Sequence, residues 1–217
     1  CAVRRRATIS CRCTSTRPAV TLDGRRQFTQ LQEDFSDEFL LGDLNLRYDF
    51  GSAALTSITS YTNRDVLVVR DAGALTSSIT GGSIGLPANV YTIDSPLDDA
   101  TEAKVWTQEV RLAGARNKLS WVIGGFYSKT DRQYGQSLLV SGFTALTGIP
   151  SQGLRAPVDV LFFSDLSYEL TQYALFGEAT YHVSDRFDVS AGLRGYDFEE
   201  DRDQVFDGIF AQDNTGT

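Results

Sequence analysis

Methionine is missing from all 217 residues, and the chain opens on Cys1 rather than on an initiator. This predicts a section of a longer translation product. No run of eighteen or more apolar residues occurs, so a transmembrane helix, which needs about twenty, is excluded. That absence does not exclude a membrane barrel, whose strands need only about ten alternating residues. The first ten residues are basic, but no apolar stretch follows them as a secretory signal would require.

Cysteine is confined to Cys1, Cys11 and Cys13, and residues 28–217 have none. Cys11 and Cys13 form a C-x-C pair without a second pair, which does not make a zinc site. Positive charge is also localised. Residues 1–27 hold seven Arg against one Asp, a balance of +6, which leaves −14 for the remainder of a chain whose net charge is −8. So acidic a body disfavours nucleic acid as a partner, because phosphate binding needs clustered Lys and Arg. Residues 1–27 are therefore set apart as an unassigned or disordered basic lead, and 28–217 as the folded body.

What is present is alternation. Gly42, Leu44, Leu46, Tyr48 and Phe50 interleave with Asp43, Asn45, Arg47 and Asp49. Period two with unlike partners means a strand whose faces meet different surroundings. The pattern returns at Trp106, Val110 and Leu112, although Gln108 interrupts the apolar row. It returns again at Tyr173, Leu175, Gly177, Ala179 and Tyr181, and at Phe187, Val189, Ala191 and Leu193.

These strands pair as predicted hairpins: 38–50 with 53–65 across Gly51-Ser52, 103–114 with 118–131 across 115–117, and 169–183 with 187–200 across 184–186. Between them lie stretches 66–102 and 132–168, rich in Gly, Ser, Thr and Pro. Residues 66–71 and 158–166 are candidate additional strands. Long strands joined alternately by short turns and long loops predict an all-β fold: a partial antiparallel transmembrane β-barrel drawn as a curved meander. Soluble strands of about five or six residues fit the pattern less well.

Several strings then become informative together. Thr107-Gln108-Glu109-Val110-Arg111-Leu112 resembles a strand common in the barrels of TonB-dependent receptors. Trp121-Val122-Ile123-Gly124-Gly125-Phe126-Tyr127 resembles its partner strand, and Ser57-Ile58-Thr59-Ser60-Tyr61 an earlier one. Tyr173 to Tyr181 and Ala191-Gly192-Leu193-Arg194 resemble a later hairpin of the same barrels. The resemblance spans roughly 38–200. It implies the middle of an outer-membrane receptor that takes up a scarce nutrient such as an iron–siderophore complex. It further implies contact with outer-membrane lipid and energy from the TonB complex through a plug region not recognisable here. A passive porin-like channel is the alternative, and a barrel hydrolase a further one.

Candidate site residues follow from this frame. Tyr91, Tyr134 and Phe143 in the long stretches are expected to be accessible and to contact ligand. Glu109, Arg111, Glu178 and Arg194 fall on the predicted inward faces, as lumen charges. Gly81-Gly82-Ser83-Ile84-Gly85 fits G-x-S-x-G, with the single histidine, His182, downstream. That motif needs a strand before the serine and a helix after it, whereas Pro87 and an aperiodic segment follow, so no catalytic residue is assigned. Two acidic groups, Asp94, Asp98, Asp99, Glu102 and Glu199, Glu200, Asp201, Asp203, lack the spacing of a calcium loop, so no metal is assigned. No nucleotide or redox motif is present, so no cofactor is expected.

Overall fold

The expectation of two unlike faces on each strand is met by a single layer of sheet. In a computed structural model the described residues are 3–11 (backbone), 29, 31–73, 75–76, 85–87, 89–90 and 93–212. Seven strands follow one another: β1 (Val3–Cys11), β2 (Glu33–Asp49), β3 (Ala53–Asp71), β4 (Pro96–Arg116), β5 (Leu119–Leu139), β6 (Val160–Ser184) and β7 (Phe187–Asp207). Two short helices are α1 (Phe143–Thr147), between β5 and β6, and α2 (Ile209–Gln212), after β7. Each strand pairs antiparallel with its sequence neighbour, so the sheet is an open meander in chain order.

The three short turns lie where turn chemistry places them. Gly51 adopts φ 87°, its N–H donating to Asp49 Oδ1 at 2.6 Å, and Phe50 N–H donates to the Ala53 carbonyl at 2.8 Å. Asn117 takes φ 55°, a left-handed conformation that Asn tolerates, between β4 and β5. The β6–β7 turn at Asp185-Arg186 follows a register shift between His182 and Ser184.

The strands outrun their hydropathy pattern. Residues 66–71 extend β3 and residues from Val160 begin β6, rather than forming separate strands. The long stretches expected at 66–102 and 132–168 thereby shrink to 72–95 and 140–159. Beyond the apolar band both faces meet polar surroundings, so no alternation marks the extension, yet backbone pairing continues. Within the lead segment, β1 pairs with β2 from Val3↔Leu41 to Cys11↔Glu33. A ladder of backbone bonds needs no side-chain pattern, and so the sequence carried no sign of it.

Register divides the sheet into two faces. Most large exposed hydrophobics of the strands lie on one: Leu44, Leu46 and Tyr48 of β2, Leu55 and Tyr61 of β3, Trp106 and Val110 of β4, Ile123 of β5, Tyr173, Leu175 and Tyr181 of β6, Val189 and Leu193 of β7; Tyr196, Phe198 and Phe206 of β7 lie on the other. Aromatic rings bound this band. Trp106, Tyr127 and Tyr173 line up on the long-loop side with centroids 5.5 and 5.0 Å apart. Tyr48, Tyr181 and Phe187 lie on the short-turn side. From Tyr173 to Tyr181 in β6 is about 27 Å along the strand at ~3.4 Å per residue. At a tilt of about 40° that spans roughly 21 Å, close to the band of a membrane barrel.

Gln108 inside this band is satisfied by its neighbours: it accepts from Thr59 Oγ1 at 2.5 Å and donates to Ser57 Oγ at 2.9 Å. The interruption of the apolar row therefore leaves its amide paired, as a polar group facing hydrocarbon must be.

The compact apolar core lies at one end of the sheet, between strand ends and loops. Ala72, Leu86, Val90, Leu138, Val140, Phe143, Leu161 and Phe210 form a buried cluster at the long-loop end, with Leu97 and Ile149 packed against it. Leu97 and Leu138 are register partners on the face opposite the apolar band, so this cap rests on that polar face. Two carboxylates organise it. Asp159 accepts from Gly142 N–H at 2.7 Å and Thr144 N–H at 2.9 Å. Asp207 accepts from the N–H groups of Arg155, Ala156 and Gly208 at 2.5, 2.8 and 2.8 Å. The Ala156 N–H first, then those of Arg155 and Gly208, hold the Asp207 carboxyl below its ordinary range.

Because the folded value lies below the unfolded carboxylate pKa of about 3.9, this stabilisation is complete above that value and is lost as pH falls through the folded pKa. Asp207→Ala should speed amide hydrogen exchange at Arg155 and Ala156 by about tenfold or more at neutral pH, since hydrogen bonds to a charged group contribute about 1.5–3 kcal/mol. Exchange at these amides should also lose its acid-dependent step. Unchanged exchange in the variant would remove Asp207 as the organiser of this loop.

Candidate functional site

On the polar face, successive register rows place unlike side chains side by side. One row runs Arg111, Gly124, Phe176, Arg194 across β4 to β7. Gly124 is required there: a Cβ would lie 2.5 Å from Phe176 Cζ and 2.9 Å from the Val110 carbonyl. The ring lies across the glycine, and the Arg194 guanidinium stands 5.7 Å from its centroid and 5.6 Å from that of Phe126. Glu109, Arg111, Glu178 and Arg194 all fall on this face. Arg111 and Glu109 make an ion pair at 3.6 Å, while Arg194 has ring partners and no carboxylate partner among the described residues.

Further toward the cap the row is Arg132, Tyr168, Arg202. Arg132 lies 5.8 Å from the Tyr168 centroid and 5.6 Å from that of Tyr134, and Arg202 lies 5.9 Å from Tyr168. Arg202 is held by Glu200 at 2.5 and 3.0 Å. Tyr134 is held from beneath. Its hydroxyl donates to Asp99 Oδ1 at 3.0 Å, and Gln136 Nε2 donates to the same oxygen at 2.5 Å. Arg70 Nε is 3.0 Å from Asp99 Oδ2, an ion pair too poorly aligned to count as a hydrogen bond. Burial first, then the bond to Asp99, push the Tyr134 phenol up, so it remains a donor. Cation–π contact of this kind is worth roughly 0.5–2 kcal/mol, and it leaves Arg132 with no carboxylate partner among the described residues, whereas the Arg202 edge is taken by Glu200.

The expected ligand contacts separate on this structure. Tyr134 sits in β5 as the ring partner of Arg132, with its hydroxyl engaged by Asp99. Phe143, expected to be accessible, is fully buried in the cap core instead. A large ring beside Val140 and Leu161 gains more from burial than from solvent. Tyr91 lies outside the described residues. Arg132, Tyr168 and Arg202 were not singled out from sequence. Only register brings them together, across as many as 70 residues of chain.

At the short-turn end of the polar face, Ser120 Oγ lies 3.1 Å from His182 Nε2, and His182 Nδ1 lies 2.8 Å from Asp188 Oδ1. This order of atoms is that of a hydrolytic triad. Ser120, however, lies within β5, whose neighbours on both sides take up the backbone N–H groups. The exposed trio is instead a cross-strand polar ladder, continued by Thr180 and Ser190 at 2.8 Å. Ser83 and its glycines lie outside the described residues.

The acidic groups do not converge. Alternation turns Asp99 away from Asp98 and Glu102, and Glu200 away from Glu199 and Asp201. Among the described residues no three His, Cys, Asp or Glu side chains are placed to hold a metal ion. A concavity of about 660 Å³ is lined mainly by Gln108, Val110, Gly125, Tyr127, Leu175 and Gly195, and so opens on the apolar face.

Comparisons agree with this architecture. The family model described as TonB dependent receptor-like, beta-barrel matches residues 10–217. None of the curated proteins matches the chain. Among solved structures, the ferric yersiniabactin uptake receptor FyuA from Yersinia pestis is similar at 13% identity and a TM-score of 0.57. The match covers 84% of this chain and 27% of that one, so the chain spans about a quarter of the receptor's length. At that identity the likeness is one of fold. The family match, covering nearly the whole sequence, carries the assignment: the chain belongs to the TonB-dependent receptor-like β-barrel family.

Proposed function

We propose that this chain is part of the wall of an outer-membrane receptor that takes up a scarce nutrient, its apolar face against lipid and its polar face lining the lumen. The ligand is anionic and carries flat π surface, as an iron–siderophore complex of phenolate type does. Energy comes from the TonB complex through a plug region. The row Arg132, Tyr168, Arg202, beside Tyr134 and under the loop cap, carries this reading. Arg132 gives charge and stacking at the same spot, and its guanidinium can pair with carboxylate or phenolate oxygen through its edge, while Arg202, whose edge is taken by Glu200, backs the other side of the ring. Residues 28–217 act as the barrel portion, and β1 of the basic lead pairs into the same sheet. Glu109, Arg111, Glu178 and Arg194 serve as lumen charges below the ligand row.

In this arrangement the short turns face the periplasm and the cap faces outside. Single cysteines in the complete receptor test it. Leu154→Cys, at a fully exposed loop position, should react with an impermeant maleimide on intact cells, and Arg116→Cys should not. The reverse pattern would invert the topology.

Ligand recognition is tested separately. Arg132→Ala and Tyr168→Ala in the complete receptor should each weaken uptake of a radioiron-loaded phenolate siderophore by about tenfold, the effect of removing a contact worth ~1–2 kcal/mol. Val189→Leu on the apolar face should leave it unchanged. Equal uptake by all variants would dismiss the row as the ligand contact. Uptake insensitive to loss of the proton-motive force would favour a passive channel.

A further inference from the structure

Asp99 is the one buried ionisable side chain among the described residues, at 4% exposure. It lies on the polar face of β4, and β3, β4 and β5 each run between two other strands, so its burial is made inside the sheet. Leu97, two residues before it on the same face, packs against the cap core. Its register partner Gln136 stands next on its face to Leu138 of that core. Asp99 therefore occupies the seam between the cap and the row of Arg132, Tyr134 and Tyr168.

A carboxylate taken out of water is costly unless its oxygens are met by donors or cations. Here both are met, from three directions. Oδ1 accepts from the Tyr134 hydroxyl at 3.0 Å and from Gln136 Nε2 at 2.5 Å, and Oδ2 faces Arg70 Nε at 3.0 Å. Only Gln136 stands directly opposite Asp99. Tyr134 stands opposite Thr101, and Arg70 opposite Leu97. The carboxylate thus reaches two diagonal neighbours, Tyr134 on the side of the row and Arg70 on the side of the cap.

The row needs that hold. Arg132 is placed by the rings of Tyr134 and Tyr168, at 5.6 and 5.8 Å. A tyrosine ring on a strand has more than one staggered position open to it, and an anchored hydroxyl selects one. Arg70 is too far away to share the row's ligand. Three register rows separate it from Arg132, about 20 Å along the strands at ~3.4 Å per residue.

We propose that Asp99 and Arg70 are positioning residues for the ligand row. Arg70 holds the Asp99 carboxylate, Asp99 holds the Tyr134 ring, and that ring holds the Arg132 guanidinium. This rests on the reading of Arg132 as a ligand contact. It adds that affinity for an anionic aromatic ligand depends on an arginine that touches none of it.

The complete receptor with 3-fluorotyrosine placed at position 134 reports the hold on the ring without any ligand. The wild type should give one narrow fluorine resonance. Asp99→Asn and Arg70→Gln should each shift and broaden it, as the ring samples further positions. An unchanged resonance in either variant would overturn the proposal. Equilibrium binding of a radioiron-loaded phenolate siderophore to the purified receptor reads the consequence. Arg70→Gln and Tyr134→Phe should each weaken binding by about fivefold, within the range of a cation–π contact. The double variant should lose no more than either single one, because both cut the same chain of contacts. Losses that multiply would mean that Arg70 acts on the ligand through its own charge, and would overturn the proposal. Tyr134→Phe removes one hydroxyl and leaves the ring, so this comparison stands even where the buried Asp99→Asn variant fails to fold. Binding indifferent to Arg132→Ala would instead dismiss the row as the ligand contact, and the fluorine resonance would still decide the hold on Tyr134.

Discussion

A single layer of sheet between two different surroundings is the constraint on which the rest depends. With no second layer packed on it, each strand must supply its own two faces, and period two is the only way a strand can do so. Hydrocarbon on one side cannot satisfy backbone groups, so every N–H and C=O within the band has to be taken up by a neighbouring strand. Long, continuously paired strands follow from this. So does the pairing of Gln108 with Ser57 and Thr59, since a side-chain amide in that band is under the same demand as the backbone. The apolar core that a soluble domain would place between layers is displaced to the one region where loops can fold on each other, around Phe143 and Leu161.

Legibility of the sequence follows the same division. Leu44, Leu46 and Tyr48 were readable because hydrocarbon and lumen impose opposite demands on consecutive residues. Gly51 and Asn117 were readable because their turns need positive φ. Where both faces are wet, as in Asp98–Thr101 or Arg132–Gln136, the pattern vanishes although pairing continues. β1 was hidden for a related reason, since an arginine-rich segment shows no apolar row even when its backbone is laddered. Phe143 was misplaced because loop composition suggests exposure, while a loop of 20 residues between β5 and β6 can bury its own rings.

The site shows a second limit. Glu109, Arg111, Glu178 and Arg194 could be placed on one face from alternation alone. Arg132, Tyr168 and Arg202 could not be joined, because their proximity is a property of register. A slip of one residue between β5 and β6 would turn Tyr168 to the opposite face from Arg132. Register in turn is fixed by short turns and by the apolar band far below the row. The geometry of the lumen mouth is thus set at the other end of the strands, roughly 50 Å away at ~3.4 Å per residue between Tyr168 and His182.

The distribution of cations gives this division a chemical form. Within β2 to β7, arginines 47, 64, 70, 111, 132, 194 and 202 lie on the polar face, and Arg116 is at a turn. Lys104 and Lys129 lie on the other face, at the edge of the aromatic boundary. A lysine there can lay its alkyl stem along the apolar band and lift a compact, strongly hydrated ammonium to the polar layer. A guanidinium is flat and weakly hydrated, so it can stack on Phe126, Phe176, Tyr134 and Tyr168 and still present N–H groups sideways. Exchanging the two residue types would keep the net charge and lose both arrangements. The polar face would lose its stacked cations, and the boundary of the apolar band would gain groups whose forked donors are harder to satisfy at its edge.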